Sequence, residues 1–248
     1  MLPNGEARQH HFGHWLYRSA HFGGNRGDGA HSACRSHPGR SVTGPTAPAG
    51  APADETHWDI KNARTVYDNP WLRLREYQVT APTGAAATYG LVQFKKAAVG
   101  VLPLEPDGST YLVGQARFAT GTYSWELPEG GVEPGSDPVA TAHRELAEEA
   151  GLGARVLQQV LFFHTSNSVC DERAYGYVAT ELYPNPVFER DAVELLAVRR
   201  LHMQELLAEI DRGLITDSLT IMLALKVFHL AATGAIASAL AEAILQCR

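Results

Sequence analysis

The sequence predicts an α/β (α+β) protein built on a mixed β-sheet with helices on both faces. Three observations carry this. Residues 64–118 read as short strands broken by turns. A glycine- and proline-rich loop then opens into an amphipathic helix that stops at Gly151. Two further strands precede an apolar helical C-terminus. Strands and helices interleaved in this order bury a sheet between helices.

The elements follow in order. Residues 1–56, with "HFGGNRGDGAH" and "SVTGPTAPAGAPADE", hold little to bury. They are expected to be a disordered Gly/His/Pro-rich tail, because such composition cannot offset its ordering entropy. His10, His11, His14, His21, His31, His37 and Cys34 make a metal-binding tract the alternative. One domain is expected over 57–248: N-terminal strands about 64–95, a core about 96–230, and a C-terminal helix to 248. In "RTVYDNPWLRLREYQVT" a turn at Asp68-Asn69-Pro70 separates two strands. "ATYGLVQFKK" follows, and then "AAVGVLPLE", a continuous apolar run typical of a strand covered on both faces. The turn "EPDGS" suggests that this strand and "TYLVGQARF" form a hairpin.

"SWELPEGGVEPGSDP" reads as an irregular loop. A helix begins after Ser136 or Asp137 as N-cap, with Pro138 in its first turn, and ends at Gly151 as C-cap. Val139, Ala142, Leu146 and Ala150 form its apolar stripe. "ARVLQQVLFFHT" and "RAYGYVATEL" are strands flanking the polar loop "SNSVCDE". "MQELLAEIDRG" and "DSLTIMLALKVFHLAA" are helices, the second capped by Asp217 or Ser218.

The chain has 248 residues and a formal charge of −6, which excludes a general nucleic-acid field. Cys34, Cys170 and Cys247 are too few and scattered for a disulfide framework, so a reducing, cytoplasmic setting is expected. No secretory signal pattern opens the sequence. The longest stretch from Leu219 to Leu245 without Lys, Arg, Asp or Glu runs from Val227 to Ala241, shorter than the ~20 residues of a membrane helix. It reads as a buried or dimer-packing helix.

"RELAEEAG" crowds Glu145, Glu148 and Glu149 onto one edge of the predicted helix, where like charges repel. A solvated acidic face is one reading. The other is a hard-cation site, since Mg2+ prefers carboxylate oxygens completed by water and substrate phosphates.

The segment "GGVEPGSDPVATAHRELAEEAGL" resembles the Nudix box: Gly130 at the first position, then Arg144, Glu145, Leu146, Glu148, Glu149, Gly151 and Leu152 in register. Ser136 stands where the box has its first glutamate. "GQARF", "SWELPEGG" and "GLITDSLTIMLAL" further resemble the ADP-ribose pyrophosphatase and nucleotide-sugar hydrolase branch, over about residues 58–230.

The resemblance implies the Nudix fold, a mixed sheet sandwiched between helices with a small N-terminal antiparallel sheet. It also implies Mg2+-dependent hydrolysis (Mn2+ as substitute) of ADP-ribose or a related nucleoside diphosphate sugar to a nucleoside monophosphate and a sugar phosphate. The metal would sit among Glu145, Glu148, Glu149 and the backbone carbonyl of Glu129. Glu148 and Glu149 would also be catalytic, with Glu172 as base and Asp171 second. Arg117 would hold a substrate phosphate, with a solvent-facing strand position as the alternative. Glu126 would hydrogen-bond substrate or brace the loop. Arg144, grouped with them at the substrate, would chiefly orient the glutamates. Trp71, Tyr89 and Phe118 offer faces for a purine, with core or dimer packing as the alternative, whereas His143 and His164 read as structural or solvent-facing. A homodimer through the N-terminal strands is implied, with no nucleic-acid or membrane partner. GDP-mannose hydrolysis is the neighbouring alternative, and nucleotide sensing without catalysis the alternative of another class.

Overall fold

The computed structural model describes residues 58–185 and 196–246. The expected tail 1–56, with its histidine tract, lies outside the described residues. Among these, strands β1 (Asp59–Asp68), β2 (Leu72–Thr80) and β3 (Ala86–Phe94) form an antiparallel sheet in that order. The turn between β1 and β2 is closed by the Asn69 side-chain oxygen, which accepts from the N–H groups of Trp71 and Leu72. This is the Asx device expected of an Asp-Asn-Pro turn.

The central sheet has the order β7-β4-β9-β8, with β4 (Ala97–Pro103), β7 (Glu129–Val132), β8 (Leu152–His164) and β9 (Arg173–Pro184). β4 runs parallel to β9, and the other two pairings are antiparallel. Its alternation explains the layers. Val99 and Val101 of β4 and Tyr177 and Ala179 of β9 face Ala142 and Leu146 of helix α1 (Pro138–Ala150). Leu102 and Ala174 face the opposite way, against Leu219, Leu223 and Ala224 of α3 (Ser218–Ala232). α3 packs so closely that a Cβ on Gly100 would meet the Leu219 Cδ2 at 1.8 Å. The fold is therefore helix–sheet–helix, as expected. A third sheet, β10-β5-β6, comprises β5 (Ser109–Arg117), β6 (Thr122–Glu126) and β10 (Ala197–His202). Helices α2 (Met203–Asp211) and α4 (Ser238–Leu245) complete the described chain.

Four expectations are corrected. The apolar run and "TYLVGQARF" do not form a hairpin: one bridge, Leu104–Thr110, joins them before they part into different sheets. Both edges of β4 are taken, by β7 and β9, so β5 pairs elsewhere. "SWELPEGGVEPGSDP" is not irregular throughout, since β6 ends in it and β7 lies within it. The apolar stretch from Leu219 to Leu245 is two helices, broken around Gly234, whose φ is +68°. Val139 is exposed, and the buried face of α1 includes Glu145 and Glu149 in its place. No helix of the described residues is long and apolar enough to cross a membrane.

Candidate active site

Helix α1 begins and ends as its sequence dictates. Asp137, not Ser136, is the cap, accepting from the Val139 N–H at 3.0 Å. Gly151 takes the left-handed conformation, φ +68°, that ends helices with little strain. Between these ends the helix carries three glutamates to the edge of β7. Glu149 is buried, and its Oε2 accepts the backbone N–H of Glu129 at 2.8 Å. Glu145 is buried over Gly130, where a Cβ would lie 2.0 Å from its Oε1. Arg144 joins the other two, donating to Glu145 at 2.5 Å and to Glu148 at 2.6 Å. Glycine at 130 thus leaves room for the approach of a carboxylate.

A cleft of about 360 Å3 opens beside this edge, lined among others by Trp71, Lys96, Arg117, Glu129, Glu172 and Asp217. Strand β5 supplies Arg117, β7 supplies Glu129, and the N-terminus of α3 supplies Asp217, whose side chain caps the helix by accepting from the Thr220 N–H at 2.7 Å. Arg117 is held by buried Glu126 through its Nε and Nη2 and by Glu129 at 2.7 Å. The bond to Glu126 raises its pKa further above the ordinary guanidinium value. Burial pushes the Glu129 carboxyl well above the usual carboxylate range, reinforced by the charges of Asp217 and Glu126.

The loop between β8 and β9 separates the two candidate bases. Asp171 accepts the Phe94 N–H at 2.8 Å and anchors the loop to the N-terminal sheet, helped by the Val92 N–H donating to the Val169 carbonyl at 2.9 Å. Glu172 instead lines the cleft, and its Oε2 accepts from the Thr165 hydroxyl at 2.6 Å. Among the aromatics, Trp71 borders the cleft, Phe118 is fully exposed, and Tyr89 stacks edge-on with Trp58 while bonding the Ser168 carbonyl. His143 and His164 are both exposed.

The donor set suits a hard cation. Oxygens of Glu126, Glu129 and Asp217 lie within 4.8 Å of one another. Among the described residues the buried Glu129 Oε2 has no hydrogen-bond partner, a costly state for a carboxylate. Asp217 and the Glu129 side chain were not singled out from sequence as site groups. The signal was present in Asp217 as a helix cap, but only the fold brings residue 217 to residue 129.

The family model of the NUDIX domain matches residues 94–217, half of the chain. The chain belongs to the Nudix family. It is a Nudix hydrolase with the Nudix fold, and residues 58–92 match the nucleoside diphosphate sugar hydrolase N-terminal domain. It is similar to an ADP-ribose pyrophosphatase of Bacillus subtilis, 31% identical over 156 residues, covering 62% of this chain and 84% of the relative. An ADP-ribose pyrophosphatase of Mycobacterium tuberculosis is 33% identical over 129 residues, covering 52% of this chain and 62% of that one. A crystal structure of an ADP compounds hydrolase shares the fold, with a TM-score of 0.65 at 22% identity, covering 72% of this chain and 97% of that one.

Proposed function

We propose that this Nudix hydrolase splits the diphosphate of ADP-ribose or a related nucleoside diphosphate sugar, with Mg2+ as cofactor, to a nucleoside monophosphate and a sugar phosphate. One observation carries the reading. The acidic cleft is walled both by the Nudix core and by Trp71 and Phe94, at the junction with the N-terminal sheet that matches a nucleoside diphosphate sugar hydrolase domain. The names of the Bacillus and Mycobacterium relatives support the same substrate class.

In this reading Glu145, Glu148, Glu149 and the Glu129 carbonyl hold Mg2+, with the Glu129 and Asp217 carboxylates beside them. Bound there, the ion would polarise phosphorus–oxygen bonds and favour ionisation of water. The chain's own groups do the rest. Glu172, held in one orientation by Thr165, takes a proton from the attacking water. Arg117 stays close to the diphosphate while fixing Glu126 and Glu129. Trp71 presents a planar face to a base or sugar. The N-terminal strands pair two copies into a homodimer, and the protein works in the cytoplasm.

The test is to incubate the purified protein with ADP-ribose, GDP-mannose, ADP-glucose and diadenosine polyphosphates, with and without Mg2+. Mg2+-dependent release of AMP from ADP-ribose is expected. No phosphate-containing product from any of them would reject hydrolysis in favour of a nucleotide sensor.

A further inference from the structure

The catalytic cleft has an imbalance of charge that a diphosphate substrate would meet. Glu129, Glu172 and Asp217 line it, and its lining cations are Arg117 and Lys96. The Arg117 guanidinium is already engaged by Glu126, which is almost wholly buried, and by half-buried Glu129. Releasing it to an incoming phosphate would strand buried carboxylates.

Lys96 is placed differently. It lies at the join of β3 and β4 and lines both the catalytic cleft and a neighbouring cleft of about 640 Å3, which also borders Phe94, His164, Arg173 and Tyr175. Its stem lies over Gly131, where a Cβ would come within 2.8 Å of its Cδ. This contact aims the chain without using the ammonium. The ammonium's partner is Glu133, whose side chain is 61% exposed. An ion pair so open to water contributes little and is readily exchanged.

We propose that Lys96 is a substrate-binding residue, with Glu133 as an exchangeable counter-ion: the Lys96 ammonium leaves Glu133 to hold a phosphate of the nucleoside diphosphate where the two clefts meet. This deepens the proposed function and rests on it for the identity of the substrate. Arg117 then organises the carboxylates, and Lys96 supplies the mobile positive charge. The exchange costs little because Glu133 stays hydrated when released, whereas the phosphate gains a charge-assisted bond.

The experiment compares Lys96→Met, Lys96→Arg and Glu133→Gln in two readouts: steady-state kinetics on whichever panel substrate the wild type hydrolyses, and calorimetric binding of inorganic pyrophosphate. Lys96→Met should raise KM about tenfold or more while kcat changes little, since a charged hydrogen bond is lost. Lys96→Arg should recover most of that. Glu133→Gln should leave KM unchanged or lower it, because a competing carboxylate is gone. An unaltered KM and pyrophosphate affinity in Lys96→Met overturns the assignment. So does a Glu133→Gln variant as impaired as Lys96→Met, which would make the pair structural. If the wild type hydrolyses none of the compounds, the proposed function fails, and pyrophosphate affinity still decides the role of Lys96.

Discussion

The Glu149 carboxylate accepts the backbone N–H of Glu129 at 2.8 Å, tying the acidic edge of α1 to the first residue of β7. This bond, with the packing of Ala142 and Leu146 in the cluster that includes Val132, sets the distance between the helix glutamates and the strand that carries Glu129. Glu149→Gln keeps an oxygen able to accept that N–H but removes the charge. Thermal unfolding should shift little, whereas turnover should fall at least about a hundredfold, as expected when a metal ligand or its close support is lost. Near-normal turnover would remove Glu149 from the metal set.

Glu172 and Asp171 are neighbours with separable roles. Glu172→Gln should slow turnover by about 10²- to 10⁴-fold, the usual worth of a general base, with metal affinity retained. Loss of metal affinity instead would make Glu172 a ligand. Asp171→Asn retains an acceptor for the Phe94 N–H and should cost far less, readable in the same assay.

Gly130→Ala tests the approach of Glu145. The added methyl would sit 2.0 Å from a carboxylate oxygen, so the buried Glu145 side chain, the helix or the strand must move. Destabilisation of about 1–3 kcal/mol is expected from overpacking, with lost activity even where the fold survives. Unchanged denaturant midpoint and turnover would show that Glu145 can swing away freely.

Adding Mg2+ should raise the melting temperature and EDTA reverse it, because an ion bound only by the folded chain stabilises by about 2.7 kcal/mol at a hundredfold excess over Kd. Replacing Glu129 by Gln should shrink this shift, since its buried Oε2 lacks a partner without the ion. An Mg2+ shift of wild-type size in that variant would place the ion away from the Glu129 carboxylate.

Acid stability reports on a site outside the cleft lining. Burial would raise the Asp107 pKa, but hydrogen bonds from Arg200 and Ser109 outweigh it and hold the carboxyl at about 2. A carboxyl depressed on folding contributes stability above its unfolded pKa near 4 and loses it as pH falls toward 2. The pair is largely solvated, so the contribution is under about 1 kcal/mol. Asp107→Asn should therefore be slightly less stable than wild type above pH 5 and converge with it near pH 2, in urea titrations across that range. A constant gap would assign the loss to packing.

Local chemistry settled much of this protein from sequence alone. The turn at Asn69, the stop at Gly151 and the two helix starts, at Ser136 or Asp137 and at Asp217 or Ser218, were legible because the required hydrogen bonds and dihedrals lie within a few residues. The structure chose Asp137 and Asp217. The register of the box glutamates depends only on helical spacing. The continuous apolar run of β4 announced burial on both faces. What the sequence could not decide were choices between distant partners. Whether β4 pairs with β5 or with β7 and β9 depends on which strand edges are free. That Asp217 stands beside Glu129, that Arg117 is engaged by Glu126, and that Lys96 pairs with an exposed carboxylate all follow from packing between segments separated by up to about ninety residues. Spacing along a helix is a property of the chain, whereas the charge balance of a cleft is a property of the elements folded around it.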